Sequence, residues 1–122
     1  MVESLKREER IRTKRDFNRL FSSGERIQSK SLSIVWSAAR ERKVGFVVNR
    51  RVGSAVERNR VKRLLRETYR RNRSSVSSET ELVIIAKAEA RGQDYRFIEG
   101  EFLSLIRRAG LMNDETHSHL TD

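Results

Sequence analysis

The segment 49–73 combines an apolar stripe with a dense run of arginine. Apolar or small residues recur at the spacing i, i+3, i+4 and i+7, which predicts an amphipathic α-helix: Val61, Leu64, Leu65 and Thr68. A step of about 100° per residue puts the polar and basic side chains on the opposite face or its flanks: Arg58, Asn59, Arg60, Lys62, Arg63, Arg66 and Arg70. Between residues 58 and 73 the only acid is Glu67. Since like charges on one face repel, the pattern favours a helix that binds a polyanion.

A run of cations can also be no more than a solvated helix face, because lysine and arginine are both good helix formers. Arginine far outnumbers lysine in this segment. Its forked guanidinium matches phosphate geometry, whereas lysine would serve solubility equally well. The whole chain has 27 Lys and Arg against 17 Asp and Glu, a net charge of +10. Such a charge is typical of proteins that bind nucleic acid or an anionic membrane surface.

The composition excludes several kinds of site. The chain has no cysteine, which rules out disulfides, thiolate catalysis and cysteine-based zinc sites. The only histidines, His117 and His119, lie in a polar tail, and the carboxylates lack the paired spacing of a general acid and base. We therefore predict no catalytic residue and no metal site in the protein. We also expect a cytoplasmic location without membrane contact, because no apolar run approaches a membrane span or a signal-peptide core.

The remaining periodicities predict an α+β domain. A short helix begins near Thr13 and ends near Gly24, and the last helix runs from about Asp94 to a cap at Gly110. Period-two alternation predicts strands in 27–39 and 44–48, and the apolar run 82–86 predicts a central strand buried on both faces. The order is α-β-β-α-β-α, with one more strand if 27–39 is a strand pair rather than one bent strand.

The ends of the chain differ from its middle in composition. Residues 1–12 are predicted to form a basic, partly ordered N-terminal arm, and residues 112–122 a disordered acidic tail. The domain between them, 13–111, has no internal repeat and no linker.

Aromatic residues offer a second binding element. Phe17 and Phe21 share one face of the first helix, and Trp36 follows in the first predicted strand segment. Such a pair on an amphipathic helix is commonly part of the core. Alternatively, aromatic rings beside a basic groove stack unpaired bases. With the arginine helix, they would form a cleft for an unpaired strand and a separate surface for folded RNA.

Two segments resemble a known family. Residues 49–70 read Asn-Arg-Arg-Val-Gly-Ser-Ala-Val-Glu-Arg-Asn-Arg-Val-Lys-Arg-Leu-Leu-Arg-Glu-Thr-Tyr-Arg and closely resemble the signature of the bacterial ribonuclease P protein subunit. Residues 14–24, Lys-Arg-Asp-Phe-Asn-Arg-Leu-Phe-Ser-Ser-Gly, are similar to the first helix of that family. The resemblance implies a compact α-β-β-β-α-β-α domain like the second domain of ribosomal protein S5, with a mixed sheet and the basic helix as a crossover between parallel strands.

The resemblance also implies a function and its residues. The family joins a catalytic RNA, ribonuclease P RNA, which removes the 5′ leader of precursor tRNA with Mg²⁺ held chiefly by that RNA. No obligate protein partner is expected. The residues implied for the leader cleft are Phe17, Phe21, Trp36, Lys62 and Arg66. Those expected to contact the catalytic RNA are Arg50, Arg51, Arg58, Asn59, Arg60, Arg63 and Arg70.

This chain departs from the family pattern at three places. Asn49, Arg50 and Arg51 stand where Ser-Lys-Lys is frequent. Trp36 stands where a smaller aromatic is common, and the spacing before it is shifted by one residue. The tail is acidic, whereas basic tails are frequent in the family.

The residues leave two other functions open: a ribosomal or chaperone-like RNA-binding protein, and a DNA-binding module with the basic helix in a major groove. An autonomous nuclease is disfavoured because no catalytic set is present.

Overall fold

A four-stranded sheet with three helices organises the chain. The computed structural model describes residues 9–113. In chain order the elements are α1 (Lys14–Ser23), β1 (Glu25–Gln28), β2 (Leu32–Ala38), β3 (Lys43–Val48), α2 (Ala55–Asn72), β4 (Thr80–Ala86) and α3 (Tyr95–Arg108). The strand order is β1-β2-β4-β3, in which only β3 and β4 run parallel. The α-β-β-β-α-β-α order and the mixed sheet are thus confirmed, and α2 connects the parallel pair.

The segment 27–39 is a strand pair. A tight turn separates β1 from β2, closed by the Ser29 N–H donating to the Leu32 carbonyl at 2.8 Å. The two strands pair antiparallel in a register that joins Glu25 to Trp36, so β1 begins two residues earlier than the alternation predicts. The choice that the sequence left open is therefore settled in favour of two strands.

The two faces of the sheet bury different clusters. On one face, Leu32 and Ile34 of β2 and Leu82 and Ile84 of β4 pack with α2 and α3 in the main core. On the other face, Val35 and Val83 pack with Ile11 and Leu20 in a smaller cluster under α1. Strand β4 lies between β2 and β3 and is buried apart from the partly exposed Glu81 and Ile85, as expected for a central strand.

Helix α2 begins at Ala55, where Ser54 and Glu57 form a capping box. Its buried residues are Val61, Leu65, Thr68 and Tyr69. The predicted stripe does face the core, since three of its residues are buried and the fourth, Leu64, is partly buried against the core. Tyr69, which the prediction left out, is also fully buried. The ring of Tyr69 packs edge-on to Phe46 at 6.2 Å between centroids, which draws the helix toward β3. No helix within 9–113 is long and apolar enough to cross a membrane.

The folded part extends beyond both predicted boundaries. Glu9 and Ile11 are buried, and the Ile11 N–H donates to the Val44 carbonyl at 2.9 Å, so residues 9–12 belong to the fold rather than to an arm. At the other end, Met112 bridges to Val76 in antiparallel fashion. The rest of the predicted arm and tail, including His117 and His119, lies outside the described residues.

A carboxylate on α3 closes the turn between β1 and β2. Glu101 accepts hydrogen bonds from the hydroxyls of Ser29 at 2.7 Å and Ser31 at 2.5 Å, and from the Ser31 N–H at 3.4 Å. The Ser31 hydroxyl bond is the main reason that the pKa of Glu101 is lowered from 4.5, with smaller contributions from Ser29 and from the charge of Lys87.

We expect Glu101→Gln to lower the free energy of unfolding at pH 7 by about 1–2 kcal/mol, because the ionised acceptor is lost. A carboxyl group with a lowered folded pKa stabilises fully above its unfolded value and loses that contribution as the pH falls through the folded value. The difference between wild type and variant should therefore shrink below about pH 4 in urea unfolding. Glu89→Gln, at an exposed position, is the matched control and should have little effect. A difference that persists unchanged at low pH would contradict this role.

Candidate nucleic-acid interface

The outer face of α2 presents cations that have no partner within the described part of the protein. Arg63 and Arg66 are exposed, and neither makes a hydrogen bond or an ion pair with residues 9–113. Asn59, one turn before Arg63, is exposed in the same way. Because α2 is anchored by its buried face, these side chains project from a rigid element. They are available to an external anion.

The other cations of α2 are partly engaged within the protein. Arg70 donates from Nε and Nη2 to Glu67 at 2.6 to 3.0 Å, and Arg71 lies 3.3 Å from the same carboxylate. The hydrogen bonds from Arg70 are the largest cause of the lowered pKa of Glu67. One acid thus offsets part of the repulsion that the sequence predicts. The helix still carries a large excess of positive charge.

Two arginines at the start of α2 are held by backbone carbonyls. Arg58 donates from Nη1 to the Gly53 carbonyl at 2.8 Å, and Arg60 donates from Nη2 to the Gln93 carbonyl at 2.9 Å. A guanidinium has five N–H donors, so each keeps donors for a phosphate while its orientation is restricted. These contacts preorganise the end of the helix.

Arg50 and Arg51 lie in the 3₁₀ turn Arg50–Val52 between β3 and α2, and both are exposed. The Asn49 side chain accepts from the Arg51 N–H at 2.8 Å and caps the turn. Gly53 follows with φ 144°, and a Cβ there would lie 2.1 Å from the Glu57 carboxylate. Only glycine allows this close approach, which brings the two arginines next to the start of α2.

A first cleft of about 550 Å³ lies where residues 10–12, α1, β3 and α2 meet. It brings together three of the residues implied for leader binding: Phe17, Lys62 and Arg66. Its remaining lining was not predicted: Arg10, Ile11, Arg12, Val44, Gly45 and Phe46. The sequence carries no periodic signal for the segment 10–12, because Ile11 is the only apolar residue in the run Glu9, Arg10, Ile11, Arg12.

The ring of Phe17 owes its place in this cleft to a glycine on β3. A Cβ at Gly45 would lie 2.7 Å from Cε1 and 2.8 Å from Cζ of Phe17. The ring therefore occupies the space that a side chain at position 45 would fill. It is half-buried, with part of its surface open to the cleft.

The three predicted aromatics do not share one surface. Phe21 is 37% exposed and lies beside Phe17, with ring centroids 6.2 Å apart, but it is outside the cleft lining. Trp36 packs against the main core on the opposite face of the sheet, while its neighbour Val35 faces α1. Trp36 thus lies apart from the two phenylalanines in the structure, because alternation along β2 directs neighbouring side chains to opposite faces.

A second cleft of about 560 Å³ lies along the outer side of α2. It is lined by arginines around a partly exposed leucine and one carboxylate: Arg10, Arg60, Arg63, Leu64, Arg66, Glu67 and Arg70. Three of the residues expected to contact catalytic RNA, Arg60, Arg63 and Arg70, are thus brought together. Arg50, Arg51, Arg58 and Asn59 lie outside this lining. The two clefts share Arg10 and Arg66, so they form one continuous cationic surface.

Residues 9–113 contain no histidine, and no three of their Asp and Glu side chains cluster as metal ligands would.

The sequence matches the family model of ribonuclease P over residues 5–110. It is 36% identical over 114 residues to the ribonuclease P protein component of Clostridium novyi (strain NT), an alignment that covers 89% of this chain and 100% of the relative. The match therefore includes both clefts and the whole of α2.

Solved structures give the same result for the fold. The RNase P protein from Thermotoga maritima superposes with a TM-score of 0.74 at 28% identity, covering 82% of this chain and 96% of that one. The Staphylococcus aureus RNase P protein superposes with a TM-score of 0.78 at 22% identity, covering 86% and 98%. At that lower identity the likeness concerns the fold alone.

We expect Gly45→Ala to displace the Phe17 ring from the first cleft, because the added Cβ would overlap the ring. The free energy of unfolding should fall by about 1–3 kcal/mol in urea titration, and the ring signals of Phe17 should shift in NMR spectra. The matched control is Gly100→Ala in α3, where a Cβ meets no described heavy atom within 4 Å. It should stabilise by about 0.5–1 kcal/mol. Unchanged Phe17 signals in Gly45→Ala would contradict the close packing.

Proposed function

Because the chain belongs to the ribonuclease P protein family, we propose that it binds ribonuclease P RNA and the 5′ leader of precursor tRNA, and so promotes 5′ maturation of tRNA. The observation that carries this proposal is the continuity of the two clefts through Arg10 and Arg66. One cleft offers an aromatic ring beside cations, which suits an unpaired strand. The other offers mainly arginines, which suit the phosphates of folded RNA.

The first cleft is proposed to hold the leader. A leader is single-stranded, so its bases are free to stack on a ring and its phosphates to meet cations at the same time. Phe17 supplies the ring inside the cleft, and Lys62 and Arg66 supply charge on its α2 side. Phe21, exposed next to Phe17, extends the stacking surface. Trp36 is partly buried against the main core on the other face of the sheet, so it is left out of the proposed leader cleft.

The outer side of α2 and the turn before it are proposed to contact the catalytic RNA. Each residue on this surface is either exposed to solvent or has a guanidinium group held by a hydrogen bond within the protein: Arg50, Arg51, Arg58, Asn59, Arg60, Arg63 and Arg70. Backbone phosphates of a folded RNA lie at spacings that a rigid row of arginines can match with bidentate bonds. Binding of this kind depends on shape and charge rather than on base sequence.

The proposed mechanism is positional and electrostatic, and the chemistry belongs to the RNA. The protein contributes cations where catalytic RNA and leader approach each other, which lowers a repulsion that magnesium ions must otherwise screen. Magnesium supplies the metal-ion chemistry of phosphodiester hydrolysis and is proposed to be held by the RNA. The leader cleft adds affinity that mature tRNA, without a leader, does not receive.

The test is cleavage of a leader-bearing precursor tRNA by ribonuclease P RNA at low magnesium, with and without this protein. Cleavage that requires both components is the expected result. Duplex DNA and an unrelated structured RNA serve as competitors at matched salt. If the protein does not stimulate cleavage at any concentration, or if duplex DNA competes better than precursor tRNA, the proposal is wrong.

We expect Phe17→Ala to weaken binding of precursor tRNA to the reconstituted holoenzyme about tenfold, because one base loses its stacking partner. Binding of mature tRNA should stay unchanged. Phe97→Ala is the matched control, since this ring is 40% exposed on α3 and lines neither cleft. Equal losses for both tRNA ligands would show that Phe17 acts through the fold instead.

A second variant tests the proposed contact between α2 and the catalytic RNA. Arg63→Ala should weaken assembly with ribonuclease P RNA, and the slope of log affinity against log salt should fall by about one. The melting temperature should not change, because Arg63 makes no contact within residues 9–113 that would be lost. Arg107→Ala, an exposed arginine on α3 outside both clefts, controls for net charge. A salt slope equal to that of wild type would remove Arg63 from the interface.

A further inference from the structure

Glu9 is a carboxylate buried in a strongly basic protein, with only 6% of its surface exposed. It accepts hydrogen bonds from Arg73 Nε at 2.8 and 2.9 Å, one to each oxygen, and a further one from the Tyr69 hydroxyl. A buried carboxylate is costly unless it is paired in this way. Burial, and then the bond to Glu9, raise the pKa of Tyr69, so its hydroxyl remains a donor. The three side chains join residue 9 to the end of α2.

The residues after Glu9 alternate like a strand laid against the edge of β3. Glu9 and Ile11 point inward and are buried, whereas Arg10 and Arg12 are exposed. The Ile11 N–H donates to the Val44 carbonyl at 2.9 Å, and Arg10 and Val44 form a parallel bridge. Since alternate side chains share a face, burying Glu9 and Ile11 directs both arginines to the outside. There they line the first cleft together with Lys62 and Arg66.

The cations of the first cleft therefore come from two separate segments of the chain. Lys62 and Arg66 come from α2, and Arg10 and Arg12 come from the segment that Glu9 holds. Arg10 also lines the second cleft, at the boundary between the two. Without the segment, the aromatic ring of Phe17 would have a cationic wall on the α2 side only.

We propose that Arg10 and Arg12 contact the phosphates of the single-stranded 5′ leader, and that Glu9 is the positioning residue that holds them in the cleft through Tyr69 and Arg73. The proposal rests on the proposed function of the first cleft. It assigns a role in leader binding to an acidic residue that touches no RNA. A strand threaded through the cleft would have its bases on Phe17 and its phosphates between two rows of cations.

Charge alone predicts the opposite effect for Glu9. Glu9→Gln removes a negative charge and makes the protein more cationic, so unspecific attraction to RNA should rise slightly. Loss of the positioning contacts should instead lower leader affinity, because Arg10 and Arg12 would no longer be held toward the phosphates. The direction of the change therefore distinguishes the two explanations.

The experiment measures the affinity of the reconstituted holoenzyme for precursor tRNA with a leader and for mature tRNA, and uses the ratio of the two. Arg10→Ala should lower this ratio about tenfold, and Arg12→Ala should also lower it. Glu9→Gln should lower it about threefold to tenfold, and Tyr69→Phe, which keeps the ring in the core, about twofold to threefold. The double variant Glu9→Gln with Arg10→Ala should lose less than the product of the single losses, because Glu9 acts through Arg10. Arg107→Ala should leave the ratio unchanged.

A structural readout accompanies the binding data. Amide hydrogen exchange at Ile11 should become faster in Glu9→Gln and in Tyr69→Phe, while exchange in β4 stays slow. If Glu9→Gln lowers affinity for both tRNA ligands equally, or raises the ratio, Glu9 is not a positioning residue. If Arg10→Ala and Arg12→Ala leave the ratio unchanged while Phe17→Ala lowers it, the arginine contacts are wrong and the leader cleft stands. If wild-type protein shows no preference for precursor tRNA, the proposed function itself fails.

Discussion

Burial of one face of α2 against the sheet is the constraint on which the rest of the surface depends. Val61, Leu65 and Tyr69 are buried in or beside the main core, so the helix cannot rotate without exposing them. Every cation on the opposite face then has a fixed direction. The capping box of Ser54 and Glu57 fixes the start of the helix in the same way. The basic side chains therefore project from a fixed backbone, which has less conformational freedom to lose on binding than a mobile basic segment would have.

The same helix shows how a protein carries dense positive charge without losing its fold. Glu67 accepts bonds from Arg70 and pairs with Arg71, and the carbonyls of Gly53 and Gln93 accept from Arg58 and Arg60. These contacts lower the repulsion near both ends of the row. Arg63 and Arg66 in its middle have no such partner within 9–113. The structure therefore distinguishes cations that the protein itself holds in place from cations whose donors are all available to an anion.

The open edge of β3 is where the second binding element is assembled. In a sheet of order β1-β2-β4-β3, this strand has a neighbour on one side only. Residues 9–12 cover part of the other side through the bond between Ile11 and Val44, and Gly45 leaves room there for the Phe17 ring. A sheet edge that would otherwise expose main-chain groups thus becomes the floor of a cleft. The residues that line the cleft come from four separate parts of the chain.

Local periodicity and charge are enough to predict the helices, the central position of β4 and the cationic character of α2. Alternation along β2 is enough to place Trp36 on the same side of the strand as Leu32 and Ile34. Which side of β2 faces α1 depends on tertiary packing. The burial of Tyr69 beside the apolar stripe of α2 likewise depends on its contact with Phe46, which lies outside the helix. Arg10 and Arg12 enter the cleft because Glu9 reaches Tyr69 and Arg73, residues 60 and 64 positions away. Contacts over such separations leave no periodic signal, so only the tertiary structure assembles the cleft.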